Sequence, residues 1–151
     1  MCVVIDTCVF HRVFNPEDGA FSPVAQWLRG KGKMVIGGST YEEQLRKMRR
    51  YLPLVAELRR SGKVVIIDKD RVDEREREIR AMEPNADFDD PHLIAIVCTS
   101  RCKVVCTLDA RADRYLLQAR FYPNGGKPKI YRQKSHKHLL CDANVVGACA
   151  G

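Results

Sequence analysis

The chain reads as an α/β protein, a three-layer sandwich in which a central, mostly parallel sheet lies between helical layers. Three observations predict this. Short runs such as Cys2-Val3-Val4-Ile5, Met34-Val35-Ile36 and Lys103-Val104-Val105-Cys106 are almost wholly apolar. They lack the alternation of a half-exposed strand, as strands covered on both faces do. Segments of helical character separate them in strict alternation, which implies βαβ crossovers. Finally, an acidic residue stands at or near the end of several runs, where an open parallel sheet gathers its ligand-binding residues.

Taken in order, residues 2–6 predict a strand and 11–21 an irregular stretch with a turn at Asn15-Pro16-Glu17-Asp18-Gly19. Ser22 with Pro23 behind it predicts a capped helix to about Arg29, stopped by Gly30 and Gly32. A strand at 33–36 precedes a helix from about Ser39 with a basic face, and Pro53 starts a further helix that ends at Gly62. Lys63–Ile67 is a third strand. Asp70–Glu83 alternates charges so densely that it predicts a solvated helix with Val72, Ile79 and Met82 as its apolar contacts. Residues 90–100 predict a buried helix, 103–107 a central strand and 110–121 another helix. After the turn Asn124-Gly125-Gly126, an edge strand is expected at Lys129–Arg132.

With 151 residues and no linker or repeat, the chain predicts one domain over 1–151, with a basic C-terminal extension from about 124. Twenty-six Lys and Arg against 19 Asp and Glu give a formal charge of +7, which favours a polyanionic partner. No apolar run approaches the roughly 20 residues of a spanning helix, and the N-terminus lacks signal-peptide order. No membrane association and a cytoplasmic location are therefore expected. Seven cysteines without a CxxC pair, several inside apolar runs, read as reduced thiols rather than a disulfide framework.

Four acids carry the chemistry. Asp6 closes the first strand, Glu43 lies just inside the helix after the second, Asp90 opens the helix at Pro91, and Asp109 follows the run 103–108. Carboxylates gathered at one sheet edge repel one another unless cations neutralise them, and hard oxygen donors suit Mg²⁺ or Mn²⁺. Each acid also has a simpler reading. Asp6 could make an Asx turn, and Asp90 before Pro91 and Asp109 before Ala110 could be helix caps. Ser39-Thr40-Tyr41-Glu42 and Thr40-Tyr41-Glu42-Glu43 both fit a capping box, so Glu42 competes with Glu43. Asp87 and Asp89 are alternatives to Asp90, while Asp113 is either a fifth acid or a partner for Arg114 or Arg120. An aspartyl-nucleophile phosphatase is excluded, since that chemistry wants a second Asp where Cys8 stands.

Ile5-Asp6-Thr7, Glu43, Asp89-Asp90-Pro91-His92-Leu93-Ile94-Ala95 and Thr107-Leu108-Asp109 together resemble a PIN domain, and the likeness covers nearly the whole chain. The resemblance implies a metal-dependent endoribonuclease hydrolysing RNA phosphodiester bonds, plausibly the toxin of a VapC-type toxin–antitoxin pair. By position it implies Asp6, Glu43, Asp90 and Asp109 as catalytic residues, with Asp6, Asp90 and Asp109 holding the metal and Thr7, Thr107 and Asp113 auxiliary. RNA as substrate, an antitoxin and a homodimer follow by the same route. The chain departs from the family at Cys8, where Asn or Ser is frequent, and at Leu108. Beside it stands a second expectation, a catalytically weak RNA-binding or scaffold protein.

Grip on RNA would come from Arg46, Lys47, Arg49 and Arg50 on one helix, and from Arg111, Arg114 and Arg120 on another. Lys127, Lys129, Arg132, Lys134 and Lys137 would add to it, with Tyr131 placed to stack on a base.

Overall fold

The computed structural model describes residues 2–141. Five strands, β1 (Cys2–Ile5), β2 (Lys33–Gly37), β3 (Val64–Ile67), β4 (Val104–Cys106) and β5 (Lys129–Tyr131), form one sheet in the order β3-β2-β1-β4-β5. Every pairing is parallel, so the expected mostly parallel sheet is wholly parallel among the described residues. Among the described residues, seven α-helices cross between strands: α1 (Phe10–Val13), α2 (Ser22–Arg29), α3 (Ser39–Lys47), α4 (Leu52–Arg60), α5 (Lys69–Met82), α6 (Pro91–Ser100) and α7 (Ala110–Leu116). They complete a three-layer α/β/α sandwich.

β1, not β4, is the central strand. All four of its residues are buried, which explains a run with no polar face. α6 packs against β1, β2 and β3 and along α5. Leu93, Ile94, Ala95, Ile96 and Val97 are all at most 1% exposed, so this helix is covered on every side. Truncating Ile94 to Ala there would cost about 2–5 kcal/mol of stability. α5 behaves as its charges demand, burying only Val72 and Ile79, and Met82 is exposed rather than an apolar contact.

Local signals were partly misplaced. Ser22 does not cap α2. Its N-cap is Phe21, and Asp18 accepts from the N–H groups of Ala20 and Phe21 just before it. Neither capping box at α3 forms: the cap is Gly38, Ser39 bonds Asp73, and Thr40 bonds Glu76 at 2.8 Å, because α5 lies alongside. Gly38 has φ +83°, and a Cβ there would come within 2.5 Å of Val72, so this turn requires glycine. The segment 11–21 begins inside structure, since a 3₁₀ turn at Thr7–Val9 runs into α1.

Within the basic segment from 124, the expected edge strand forms at Lys129–Tyr131, where β5 pairs with β4 at the margin of the sheet. Residues 142–151, including Cys149, lie outside the described residues. Cys8, Cys98, Cys102 and Cys106 carry free thiols. Cys2 is disulfide-bonded, which corrects the reduced-thiol expectation at that position. No helix among the described residues is long and apolar enough to cross a membrane.

Candidate carboxylate site at the switch point

The chain builds outward from β1 through β2 to β3, then returns to place β4 on the other side of β1. That reversal opens a crevice outside the carboxyl ends of β1 and β4, the position where open α/β sheets bind ligands. Asp6 leaves β1 there and donates its N–H to Cys106 O at 2.9 Å, locking the two strand ends together. Thr107 and Asp109 leave β4 beside it.

Asp6 is 5% exposed and its carboxylate is held by three donors. Thr107 Oγ1 donates to Oδ2 at 2.9 Å, Cys8 Sγ donates to the same oxygen at 3.1 Å, and Cys8 N–H donates to Oδ1 at 3.3 Å. The Asx-turn reading of Asp6 holds, since its side chain caps the 3₁₀ turn. Burial and the Asp6 carboxylate push the Cys8 thiol up to about 12, so it stays protonated and donates. Thr107 Oγ1 also accepts the Asp109 N–H at 3.2 Å, so one hydroxyl serves as donor and acceptor between the two acids.

Asp109 both caps and faces the crevice. Its Oδ1 accepts Arg111 N–H at 2.9 Å, and its carboxylate acts on Asp90 across the crevice. Asp90 is the N-cap of α6 ahead of Pro91, as its simpler reading has it, but only its backbone oxygen serves the helix, accepting Leu93 N–H at 3.2 Å, and its carboxylate makes no capping hydrogen bond. Burial, then the carboxylates of Asp6, Asp109 and Asp89, raise its pKa to about 7, with Arg111 opposing. That shift places Asp6, Asp90 and Asp109 in one electrostatic neighbourhood. Arg111 bridges the rim, Nη2 to Asp89 at 3.4 Å and Nε to Asp109 at 3.5 Å.

Glu43 is not brought to this cluster. Its side chain is exposed and pairs with Lys47 at 3.4 Å, while Glu42 faces Arg46 at 3.8 Å. Gln44 on α3 instead reaches the residue after Asp6, accepting from Thr7 Oγ1 at 3.0 Å. The Thr7 hydroxyl is thus turned to Gln44, while Thr107 and Cys8 hold the Asp6 carboxylate. The signal was in the sequence: Tyr41, Leu45 and Met48 form an apolar stripe that includes position 44 and leaves 43 outside. Tyr41 is fully buried, donating to Ile5 O at 2.6 Å, with its pKa raised by burial and then by Asp6.

His92 is 1% exposed, and neither ring nitrogen has a hydrogen-bond partner among the described residues. Burial pushes its pKa down to about 4 against the pull of Asp6, which leaves the imidazole neutral.

Asp113 pairs with neither Arg114 nor Arg120. Its two oxygens take the Nη1 and Nη2 donors of Arg132, whose Nε donates to Thr107 O at 3.2 Å. This fork ties the residue after β5 to α7, so the Arg132 guanidinium is already engaged by Asp113. Arg120 bonds Glu83 at 3.1 Å. Tyr131 is 0% exposed with its hydroxyl on Ala20 O at 2.7 Å, which removes it as a stacking platform. Arg49, Lys127 and Lys129 are exposed and carry no ion pair among the described residues, and Arg50 lies over the Tyr51 ring at 5.8 Å.

Three hard carboxylates and an elevated Asp90 pKa are the donor chemistry a divalent cation would relieve. Among the described residues, no three His, Cys, Asp or Glu side chains close into a ready metal-holding group. Mg²⁺ does not need such a cage, because it keeps several waters and takes one or two carboxylates plus substrate phosphate. No family model, curated protein or solved structure matches the chain.

Proposed function

We propose that the chain is a metal-dependent endoribonuclease of the PIN type, hydrolysing RNA phosphodiester bonds in the switch-point crevice and acting in the cytoplasm. The observation that carries this reading is the half-buried Asp90 beside Asp6 and Asp109, its pKa raised to about 7 first by burial and then by those carboxylates. Buried carboxylates left uncompensated destabilise a fold, and a bound cation would offset that cost.

A Mg²⁺ or Mn²⁺ ion, once bound, would neutralise phosphate charge and acidify the attacking water. Asp6 would be the anchoring donor, since Thr107 and Cys8 fix its orientation. Asp109 and Asp90 would complete the set from β4 and α6. Arg111 at the rim, Arg46 in the last turn of α3, Arg49 and Arg50 just after it, and Lys127 and Lys129 before and at β5 would hold the RNA backbone. Within this reading, an antitoxin or a second copy of the chain is the protein partner.

A second reading, RNA binding with weak hydrolysis, is favoured by one observation. The amide of Gln44 reaches Thr7, whereas Glu43 faces Lys47.

The test is cleavage of a mixed set of labelled RNAs with Mn²⁺, Mg²⁺ or EDTA, comparing wild type with Asp6→Asn. Cleavage that needs metal and is lost in the variant is the expected result. Cleavage surviving the substitution would sink the assignment, and RNA binding without cleavage would install the second reading.

A further inference from the structure

A separate cavity lies at the opposite end of α6 from Asp90, about one helix length (~15 Å) away. It has a volume of about 530 Å³, within the range of small-molecule sites. Its walls come from α5, the last turn of α6, the residues entering β4 and the turn around 122–126.

We propose that this cavity binds a small phosphomonoester of about nucleotide size, its phosphate held by Arg71, Arg101 and Lys103. Arg71, Arg75, Arg101 and Lys103 face Glu74 and Glu78 across the lining, a surplus of two positive charges. Arg75 is already engaged, with Glu78 at 2.6 Å and Phe121 O at 2.9 Å. The side chains of Arg71, Arg101 and Lys103 make no ion pair or side-chain hydrogen bond among the described residues. The carboxyl end of α6 contributes about half a negative charge, which two full positive charges outweigh.

Two backbone features place these cations. Arg101 sits at the end of α6 with φ +60°, a left-handed conformation that favours glycine. The chain thus keeps a cation where backbone preference alone would select another residue. Gly126 has φ +85°, and a Cβ on it would lie 2.2 Å from Lys103 Nζ. Its missing side chain makes room for the ammonium in the wall. Val97 and Pro123 supply apolar lining for the remainder of the ligand.

A single phosphate suits the site better than a polynucleotide. The carboxylates of Glu74 and Glu78 within the lining repel a continuous run of phosphates but leave a place for one among the three cations.

Calorimetric titration at low ionic strength with AMP, ribose 5-phosphate, adenosine and a ten-nucleotide RNA tests the proposal, using wild type, Arg101→Gly, Lys103→Met and Asp6→Asn. AMP or ribose 5-phosphate should bind with 1:1 stoichiometry and adenosine at least about tenfold more weakly. Arg101→Gly and Lys103→Met should each weaken the phosphate ligand by about tenfold or more. Arg101→Gly relieves the left-handed backbone, so its thermal midpoint should not fall, which separates lost binding from lost folding. Asp6→Asn should bind as wild type does.

The proposal is overturned if neither phosphate ligand binds below about 1 mM, or if both cavity variants bind as well as wild type. It is equally overturned if Asp6→Asn abolishes binding, which would put the ligand in the carboxylate crevice. Loss of affinity for the RNA alone in the cavity variants would make the cavity a polynucleotide contact and also overturn it.

Discussion

Thr107 Oγ1 donates to Asp6 Oδ2 at 2.9 Å across 101 residues of chain, and the same oxygen accepts the Asp109 N–H. One hydroxyl therefore sets the distance and orientation of two acids leaving adjacent strands. Thr107 is 0% exposed, so no solvent competes for either bond.

Replacing Thr107 with Val keeps the shape and removes both bonds. The loss should be about 1–3 kcal/mol of stability, because the Asp6 oxygen and the Asp109 N–H each lose a partner. RNA cleavage should fall by about tenfold or more, as a misplaced carboxylate at a reacting centre would dictate. Denaturant melts and cleavage rates measured together check this. Unchanged cleavage in a destabilised variant would show that the bond serves folding alone.

Asp90 gives a pH signature in the metal-free protein. Its pKa is raised from 3.8 to about 7, so between those values the folded state holds more protons than the unfolded state. Its contribution to stability is present below about pH 4 and is lost as pH rises to about 7. His92 acts in the opposite sense, since its pKa falls from 6.5 to about 4 and stability is gained as pH rises through that window. In wild type the two largely mask each other. Asp90→Asn removes the descending part, so its stability relative to wild type should climb from pH 4 to 7 and then level off. Chemical denaturation in EDTA buffers reads this difference, and a flat one would refute the crowding of Asp90.

Added Mn²⁺ should raise the thermal midpoint of wild type at pH 7 and raise that of Asp90→Asn less, since binding to the folded state stabilises by mass action. Equal shifts in the two proteins would place the cation elsewhere.

Position 44 should respond to charge where position 43 does not. Gln44→Glu adds a carboxylate beside Thr7 and should lower the Mn²⁺ concentration needed for half-maximal cleavage by about tenfold, one coordination partner's worth of affinity. Glu43→Gln breaks only an exposed ion pair with Lys47 and should change cleavage less than about twofold. The reverse ranking would return Glu43 to the site.

The Asp113–Arg132 fork should prove structural. Either residue changed to Ala should destabilise by about 1–3 kcal/mol, and the double variant by less than the sum, since both remove one interaction. Arg132→Ala should weaken RNA binding no more than Asp113→Ala does. A selective RNA defect in Arg132→Ala would mean that the guanidinium also reaches phosphate.

The apolar runs at 2–5, 34–36 and 104–106, and their alternation with helices, determined the sandwich from the sequence alone. A residue buried on both faces of a sheet has no tolerance for polarity, so the pattern is local and legible. The placement of Asp6, Asp90 and Asp109 at element ends was legible for the same reason. Tertiary structure decided what sequence spacing does not encode. Strand order put β1 at the centre and made β1 and β4 neighbours, which brings Thr107 to Asp6. Helix phase turned Gln44 inward and Glu43 to solvent, because adjacent helical residues differ by about 100° in direction. The pairing of β5 with β4 brought Arg132 to Asp113, engaging in an ion pair a cation that charge counting alone assigns to RNA. Hydrogen-bond partners a hundred residues apart depend on register and helix phase together, and these are fixed only when the whole core packs.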